Sequence, residues 1–164
     1  MNNLLLEVVT TTATTTATLG NAIGYIGLAL CVALCGVGSA MGLYYTGQAG
    51  AGVLAEDPKK FSKVLVMVVL PATQGIYGFV LAIVGQSYID ALTVSQGISV
   101  LFACMPLALL GLFSAIYQGK TATAGIYALA KEESLSGKLI LFPAMVETYA
   151  ILGLVISLLL LQAI

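Results

Sequence analysis

The sequence lacks arginine, histidine and tryptophan, and charged residues occupy only 8% of its 164 positions. A soluble domain carries charge on roughly a quarter of its residues, so this composition excludes that class. The net charge of −1 provides no basic surface for a nucleic acid. Hydrophobic residues make up 60% of the chain, which is typical of a membrane protein.

Thiol ligands for a metal are also few. The cysteines Cys31, Cys35 and Cys104 all lie in apolar, helix-forming runs, and the first two share one helical face. Because no histidine or further cysteine completes a ligand set, we interpret all three as small packing residues.

The N-terminal stretch "MNNLLLEVVTTTATTTATLG" has no basic region and only a very short apolar run. It therefore does not fit a secretory signal peptide. We interpret its threonine-rich tract as a polar lead-in or as the frayed start of the first helix.

The rest of the chain divides into apolar segments that are each long enough to cross a hydrocarbon core of about 30 Å. The predicted segments are Ala22–Ala55, Phe61–Gly85, Thr93–Ala130 and Lys138–Leu161. We expect an all-α membrane protein with a single membrane domain over residues 1–164. It contains two helical hairpins, at about residues 20–87 and 93–162.

Five of the six lysines lie in or beside the connections "AEDPKKFSK" and "AKEESLSGK". An even number of spans places both connections on one side of the membrane. By the positive-inside rule, the loops near residues 56–63 and 131–138 are cytoplasmic and both termini are outside.

The two hairpins are related by an internal repeat. The stretch "GSAMGLYYTGQAGAGVLAED" aligns without gaps 75 positions upstream of the stretch that begins at Phe113, and it shares Ser39/Ser114, Thr46/Thr121 and Gly50/Gly125 among its identities. Further on the spacing is 72, which matches Pro71 with Pro143 and Tyr77 with Tyr149. Two hairpins of the same orientation therefore derive from one. Glu147 aligns with Gly75, so only the second hairpin carries the carboxylate.

Small residues are concentrated in the first and third helices: Gly20, Gly24, Gly27, Gly36, Gly38 and Gly42, then Gly111, Ala115 and Gly119. Such stripes allow close approach of helix backbones in lipid. They predict either a tight inner layer formed by the first and third helices or contacts within one four-helix bundle.

The closing run "FPAMVETYAILGLVISLLLLQAI" contains one carboxylate, Glu147, at a depth where a charge costs at least about 2.5 kcal/mol. Gln118 and Glu147 are each about fourteen residues from the loop at Glu132, so both lie on the order of 20 Å along their helices. The two side chains are therefore expected to meet.

The second helix places Leu70, Thr73, Gln74 and Tyr77 on one face, because they follow the spacing i, i+3, i+4, i+7. Pro71 and Pro143 each remove a backbone donor, which leaves carbonyl groups without their usual partners near this depth.

Together these residues offer more oxygen atoms than a proton requires, and this surplus favours a dehydrated hard cation. A single carboxylate favours a monovalent ion. The alternative is that Thr73, Gln74 and Gln118 only join helices by hydrogen bonds.

At "LPATQGIYGF", "YQGK" and "AMVETYAILG" the sequence resembles the proteolipid ring subunit of V-type rotary ATPases, called K or c, in its sodium-translocating bacterial form. The resemblance implies a homo-oligomeric rotor ring in a bacterial cell membrane, driven by ATP hydrolysis in a separate soluble head. The implied partners are other copies of the chain, lipid, central-stalk subunits at the cytoplasmic loops and a stator subunit that supplies an arginine.

The resemblance also implies which residues bind Na+: Glu147, Gln118, Gln74, Thr73 and the Leu70 backbone carbonyl, with Tyr77 hydrogen-bonded to the carboxylate. The pair Tyr44 and Tyr45 and the threonine-rich N-terminus depart from that pattern, and both lie away from these residues.

Three other functions remain open: a proton-translocating ring that uses the same Glu147, a small secondary transporter, and an oligomeric pore or scaffold. The run "SAIYQGKT" nearly matches a phosphate-binding loop, but it has serine for the first glycine and no preceding strand. We therefore expect no site for ATP hydrolysis in this chain.

Overall fold

The computed structural model describes residues 2–164, with side chains from Glu7 onward. The described chain is helical and contains no strand. Four spans are each long and apolar enough to cross a membrane. The first span is α1 (Asn2–Glu56), the second is α2 (Phe61–Val69) with α3 (Thr73–Gln86), the third is α4 (Val94–Lys131), and the fourth is α5 (Ser136–Leu139) with α6 (Leu141–Gln162). The predicted all-α membrane fold is confirmed.

The first span begins earlier than predicted, because α1 is a continuous helix of 55 residues and starts at Asn2. Threonine side chains of its N-terminal tract donate to carbonyls three or four residues earlier, as Thr14 does to Thr10 at 2.8 Å. Bonds of this kind satisfy the hydroxyls on the helix itself. Of the two interpretations of this tract, the polar lead-in was wrong and the start of the first helix agrees with the structure, whereas the predicted segment Ala22–Ala55 was too short at its N-terminal end.

The first and third spans approach closely along their glycines. A Cβ atom at Gly27 would lie 2.6 Å from the Cα of Leu101, and one at Gly38 would lie 2.6 Å from the carbonyl oxygen of Leu112. Any side chain at either position would push the two backbones apart. At these two positions the small residues serve contacts between the first and third spans of one chain.

The two lysine-bearing connections meet at one end of the molecule. Lys63 Nζ lies 2.6 Å from Glu133 Oε2, and Lys60 Nζ donates to the Ala130 carbonyl at 2.7 Å. At the opposite end, Asn21 Oδ1 accepts a hydrogen bond from the Leu92 N–H at 2.9 Å. Both lysine-rich loops are therefore on the same side, as expected for two hairpins of the same orientation.

The cysteines lie in the core between the spans, and each is fully buried. The Cys35 thiol donates to the Leu107 carbonyl at 3.5 Å. Among the described residues, no three His, Cys, Asp or Glu side chains group in a way that could hold a metal ion. The positions agree with the interpretation of the cysteines as packing residues.

Candidate functional site

Glu147 lies on α6, and its carboxylate is approached from two other spans. The Tyr77 hydroxyl, on α3, donates to Oε1 at 2.6 Å. The Gln118 amide, on α4, donates to Oε2 at 3.2 Å. Each oxygen of the carboxylate therefore has its own donor, and the second, third and fourth spans meet at this side chain.

A second part of the network extends away from Glu147. Gln74 Nε2 donates to Gln118 Oε1 at 2.6 Å, and both glutamines are fully buried. Thr73 Oγ1 lies 3.1 Å from the Leu70 carbonyl oxygen and 3.3 Å from Gln74 Oε1. All six residues selected from the sequence therefore lie in one connected group of polar atoms.

The backbone beside this group is irregular. Leu70–Ala72 forms a 3-10 turn between α2 and α3, with Pro71 buried at its centre. Proline cannot donate a backbone hydrogen bond within a helix, so the regular helical ladder is interrupted here. The turn exposes the Leu70 carbonyl to the Thr73 hydroxyl and places both beside Gln74.

Two hydroxyls from the first span satisfy backbone groups at this interruption. Thr46 Oγ1 donates to the Val68 carbonyl at 2.9 Å, and Ser39 Oγ accepts from the Gly75 N–H at 2.8 Å. Sequence reasoning aligned Ser39 and Thr46 within the repeat but gave them no role. The sequence feature that could have indicated this role is a pair of hydroxyl residues, seven positions apart, on the helix that precedes a proline-containing span.

Pro143 differs from its repeat counterpart Pro71. It is the third residue of α6, which follows a turn at Ile140. Pro143 has no backbone N–H to donate, and the fourth span is interrupted at Ile140, between α5 and α6, three residues before Pro143. Each proline therefore accompanies an interruption of its span, and only the interruption at Pro71 is a 3-10 turn that adjoins Thr73.

Within the described part of the chain, no ion pair joins Glu147 to a basic group. The ion pairs there connect residues of the loop region: Asp57, Lys60, Lys63 and Glu133. Lys120 Nζ lies 5.3 Å from the ring centre of Tyr117 and 5.8 Å from that of Tyr45. Lys120 therefore makes cation–π contacts with two tyrosine rings.

A carboxylate with only neutral partners in a membrane interior is unstable as an anion. The arrangement can stabilise it in two ways, by binding a cation among the surrounding oxygens or by adding a proton. The available oxygens belong to the carboxylate, two amides, one hydroxyl and one backbone carbonyl. These are the ligand types that hard cations prefer.

Comparison with known proteins gives matches over most of the chain. Residues 26–84 and 101–160 each match the family of the ATP synthase C subunit. The V-type sodium ATPase subunit K of Enterococcus hirae is 46% identical over 142 residues, which cover 86% of this chain and 91% of that protein. The A-type ATP synthase subunit K of Methanocaldococcus jannaschii is 44% identical over 85% of this chain and 61% of that protein. The c'' subunit of the V-type proton ATPase of Saccharomyces cerevisiae is 30% identical over 82% of this chain and 67% of that protein.

The two separate family matches fall on the two hairpins, in agreement with the internal repeat. The resemblance found in the sequence is confirmed by matches that extend across all four spans. The chain belongs to the family of the ATP synthase C subunit, whose members are membrane proteins that form oligomeric rings.

Proposed function

We propose that this protein is the rotor-ring subunit of a V-type ATPase and that each copy carries one Na+ at Glu147. The observation that carries the proposal is the placement of Glu147 between two donors, Tyr77 and Gln118, within a group of oxygen-bearing side chains. The similarity to a relative named as part of a sodium ATPase supports sodium as the transported ion.

Each residue of the group has a distinct role in this proposal. The Glu147 carboxylate supplies the negative charge, and the oxygens of Gln118, Gln74 and Thr73 replace water around the ion. The Leu70 carbonyl completes the ligand set, because the 3-10 turn brings it beside the Thr73 hydroxyl. Tyr77 is not a ligand: its hydroxyl holds the carboxylate in place.

Neutralisation of Glu147 explains how the ring turns within lipid. A filled site has no net charge at the carboxylate and passes through the hydrocarbon region at low cost, whereas an empty, charged site does not. Release requires an aqueous path and a competing positive charge. Since this chain contains no arginine, that charge belongs to a stator subunit, and ATP hydrolysis belongs to a separate soluble head.

We infer the orientation in the membrane from the lysine-rich loops. Lys60, Lys63 and Glu133 form one charged surface at the end of the molecule where the two connections meet. This surface is cytoplasmic in the proposal and docks the central stalk, with both termini outside a bacterial cell membrane. Labelling of a cysteine introduced at Lys59 by a membrane-impermeant reagent is expected only in inverted vesicles.

A proton ring is the second candidate. Both Glu147 oxygens have hydrogen-bond donors supplied by the chain itself, and one proton on the carboxyl would neutralise it. Relatives from Saccharomyces cerevisiae and Rattus norvegicus, each 30% identical, are named as parts of proton ATPases.

Carbodiimide labelling of Glu147 tests the two candidates against each other. The reagent modifies the protonated carboxyl, so a bound Na+ protects it. We expect the labelling rate of the purified ring at fixed pH to fall as NaCl is raised, and to be unchanged by equal concentrations of KCl. A rate that is indifferent to sodium would exclude the sodium ring and leave the proton ring.

A further inference from the structure

The second span offers its ion ligands from one short stretch, residues 70–74, which we call the ligand segment. It holds the Leu70 carbonyl and the side chains of Thr73 and Gln74, and it contains the 3-10 turn between α2 and α3. The last carbonyls of one helix and the first N–H groups of the next have no partner within their helices. The position of the ligand segment therefore depends on the groups that bind this free backbone.

The first span binds one free backbone group on each side of the ligand segment. Before the segment, the Val68 carbonyl near the end of α2 accepts from the Thr46 hydroxyl at 2.9 Å. After the segment, the N–H of Gly75, the third residue of α3, donates to Ser39 Oγ at 2.8 Å. The Thr46 hydroxyl also lies 3.2 and 3.3 Å from two carbonyls of its own helix, so the contact with the second span is the shortest. The first span thus holds both ends of a segment to which it adds no ligand.

Gly42 lies between these two hydroxyl residues and contacts the turn itself. Ser39, Gly42 and Thr46 follow the spacing i, i+3, i+7, which places them on one helical face. A Cβ atom at Gly42 would lie 2.5 Å from the Cβ of Pro71, so only glycine allows the proline to come this close. The first span therefore contacts the second before, at and after the 3-10 turn. We call Ser39, Gly42 and Thr46 the clamp.

The internal repeat supplies a second copy of the hydroxyl pair, and this copy holds no such turn. Thr121, the counterpart of Thr46, donates to the Tyr117 carbonyl of its own helix at 2.9 Å. Ser114, the counterpart of Ser39, has a buried hydroxyl without a hydrogen-bond partner among the described residues. It lines, with Tyr149, a groove of about 250 Å³ between the third and fourth spans. The hydroxyl pair thus holds backbone only in the hairpin whose backbone is a proposed ligand.

We propose that the clamp fixes the position of the ligand segment and thereby sets the preference of the Glu147 site for Na+ over the smaller Li+. This inference rests on the proposed sodium-carrying function. The choice between hard cations depends on the size, ligand number and flexibility of the oxygen cage. A segment held at both ends keeps the cage at one size, whereas a released segment can close around a smaller ion. The clamp residues act through the ligands and are positioning residues.

Thr46→Val tests the clamp, because it removes the hydroxyl and keeps the size of the side chain. The measurement is the concentration of NaCl, and separately of LiCl, that gives half-maximal protection of Glu147 from carbodiimide in the purified ring. In the unmodified ring, NaCl should protect at a lower concentration than LiCl. Groups that orient metal ligands change metal affinity by about 10–100-fold when they are removed. We expect the NaCl value for Thr46→Val to rise about tenfold and the LiCl value to rise less than about threefold.

Two control variants separate the hydrogen bond from general effects of substitution. Thr46→Ser retains a hydroxyl at the same position and should keep the Na+ preference of the unmodified ring. Thr121→Val removes the counterpart hydroxyl, which bonds only to its own helix, and should change neither value.

Ser39→Ala releases the other end of the ligand segment. It should lower the preference for Na+ over Li+ in the same direction as Thr46→Val, whereas its counterpart Ser114→Ala should not. If the Thr46→Val ring does not assemble, the Ser39→Ala ring decides the question.

A purely structural role of the clamp predicts a different result. It would lower the yield of intact ring on a native gel and leave the ratio of the LiCl to the NaCl value unchanged in the ring that remains. An unchanged or increased ratio in the clamp variants, or an unmodified ring that does not prefer NaCl to LiCl, would overturn the inference. Failure of the proposed function is distinct, because NaCl would then give no protection even in the unmodified ring.

Discussion

The Tyr77 hydroxyl donates a 2.6 Å hydrogen bond to Glu147 Oε1 and so joins the second span to the fourth. The repeat counterpart of this tyrosine, Tyr149, is 61% exposed and lies in the groove between the third and fourth spans. Two tyrosines at equivalent positions therefore have different surroundings, because only one of them faces a carboxylate in the chain.

Substitution Tyr77→Phe is expected to weaken sodium binding and to leave the ring assembled. A hydrogen bond to a charged group contributes about 1.5–3 kcal/mol, which corresponds to a roughly tenfold to hundredfold change in affinity. We therefore expect the NaCl concentration that gives half-maximal protection of Glu147 from carbodiimide to rise roughly tenfold to hundredfold. Tyr149→Phe is the matched control and should behave like the unmodified ring, so an equal shift in both variants would contradict the role of Tyr77.

Gln118 connects Gln74 to Glu147, so its substitution tests whether the amides are ligands or only join helices. Gln118→Leu removes an oxygen from the site and leaves Gln74 Nε2 without its partner. We expect at least a tenfold loss of sodium protection with the ring still intact on a native gel.

The double variant Gln74→Leu/Gln118→Leu removes both buried partners at once. It should recover part of the stability that the Gln118 variant loses, because a buried amide without a partner costs about 1–3 kcal/mol. Sodium protection should not recover. If Gln74→Leu and Gln118→Leu each reduce the amount of intact ring on a native gel, and the ring that remains keeps its sodium protection, the glutamines only join helices.

The convergence of the candidate site residues could be predicted from the sequence because two simple regularities apply to them. Residues at equal distance from a hairpin loop share a depth, which brought Gln118 to Glu147, and the i, i+3, i+4, i+7 spacing placed Thr73, Gln74 and Tyr77 on one face. Both depend only on the helical rise and period, and the structure joins these side chains by hydrogen bonds.

The interruption of the second span was harder to predict. Pro71 and Pro143 align in the repeat, but only Pro71 lies within a 3-10 turn. The effect of a proline on the backbone depends on where the helix begins, and alignment within the repeat does not give that position. The roles of Ser39 and Thr46 depend on the rotation of the first span against the second, which spacing alone does not determine. The length of the N-terminal helix was underestimated because threonine is a weak helix former by propensity, whereas its hydroxyls bond back to the helix.

Ser39 and Ser114 form a matched pair for a test of the interrupted backbone. Ser39→Ala removes the acceptor of the part-buried Gly75 N–H, and a buried donor without a partner costs at most about 1–3 kcal/mol. We expect the free energy of unfolding in detergent to fall by up to that amount. It is measured from the helical circular dichroism signal during titration with a denaturing surfactant. Ser114→Ala removes a hydroxyl that has no partner in the described chain and should be neutral or slightly stabilising. A loss of equal size in both variants would contradict the proposed role of Ser39.

Lys60 and Lys63 are expected to contribute unequally where the two loops meet. The Lys60 side chain is only 14% exposed and its ammonium group donates to the Ala130 carbonyl, at the C-terminal end of α4. A cation there satisfies a terminal carbonyl and interacts favourably with the helix dipole, so Lys60→Met should lower the free energy of unfolding by about 1.5 kcal/mol.

Lys63 and Glu133 are both more than 40% exposed, and an exposed pair contributes about 0–1 kcal/mol. Lys63→Met should therefore have a small effect that disappears in 1 M choline chloride, where screening acts over only about 3 Å, whereas most of the Lys60→Met effect should persist. A larger loss for Lys63→Met than for Lys60→Met would show that the surface ion pair, and not the carbonyl contact, holds the loops together.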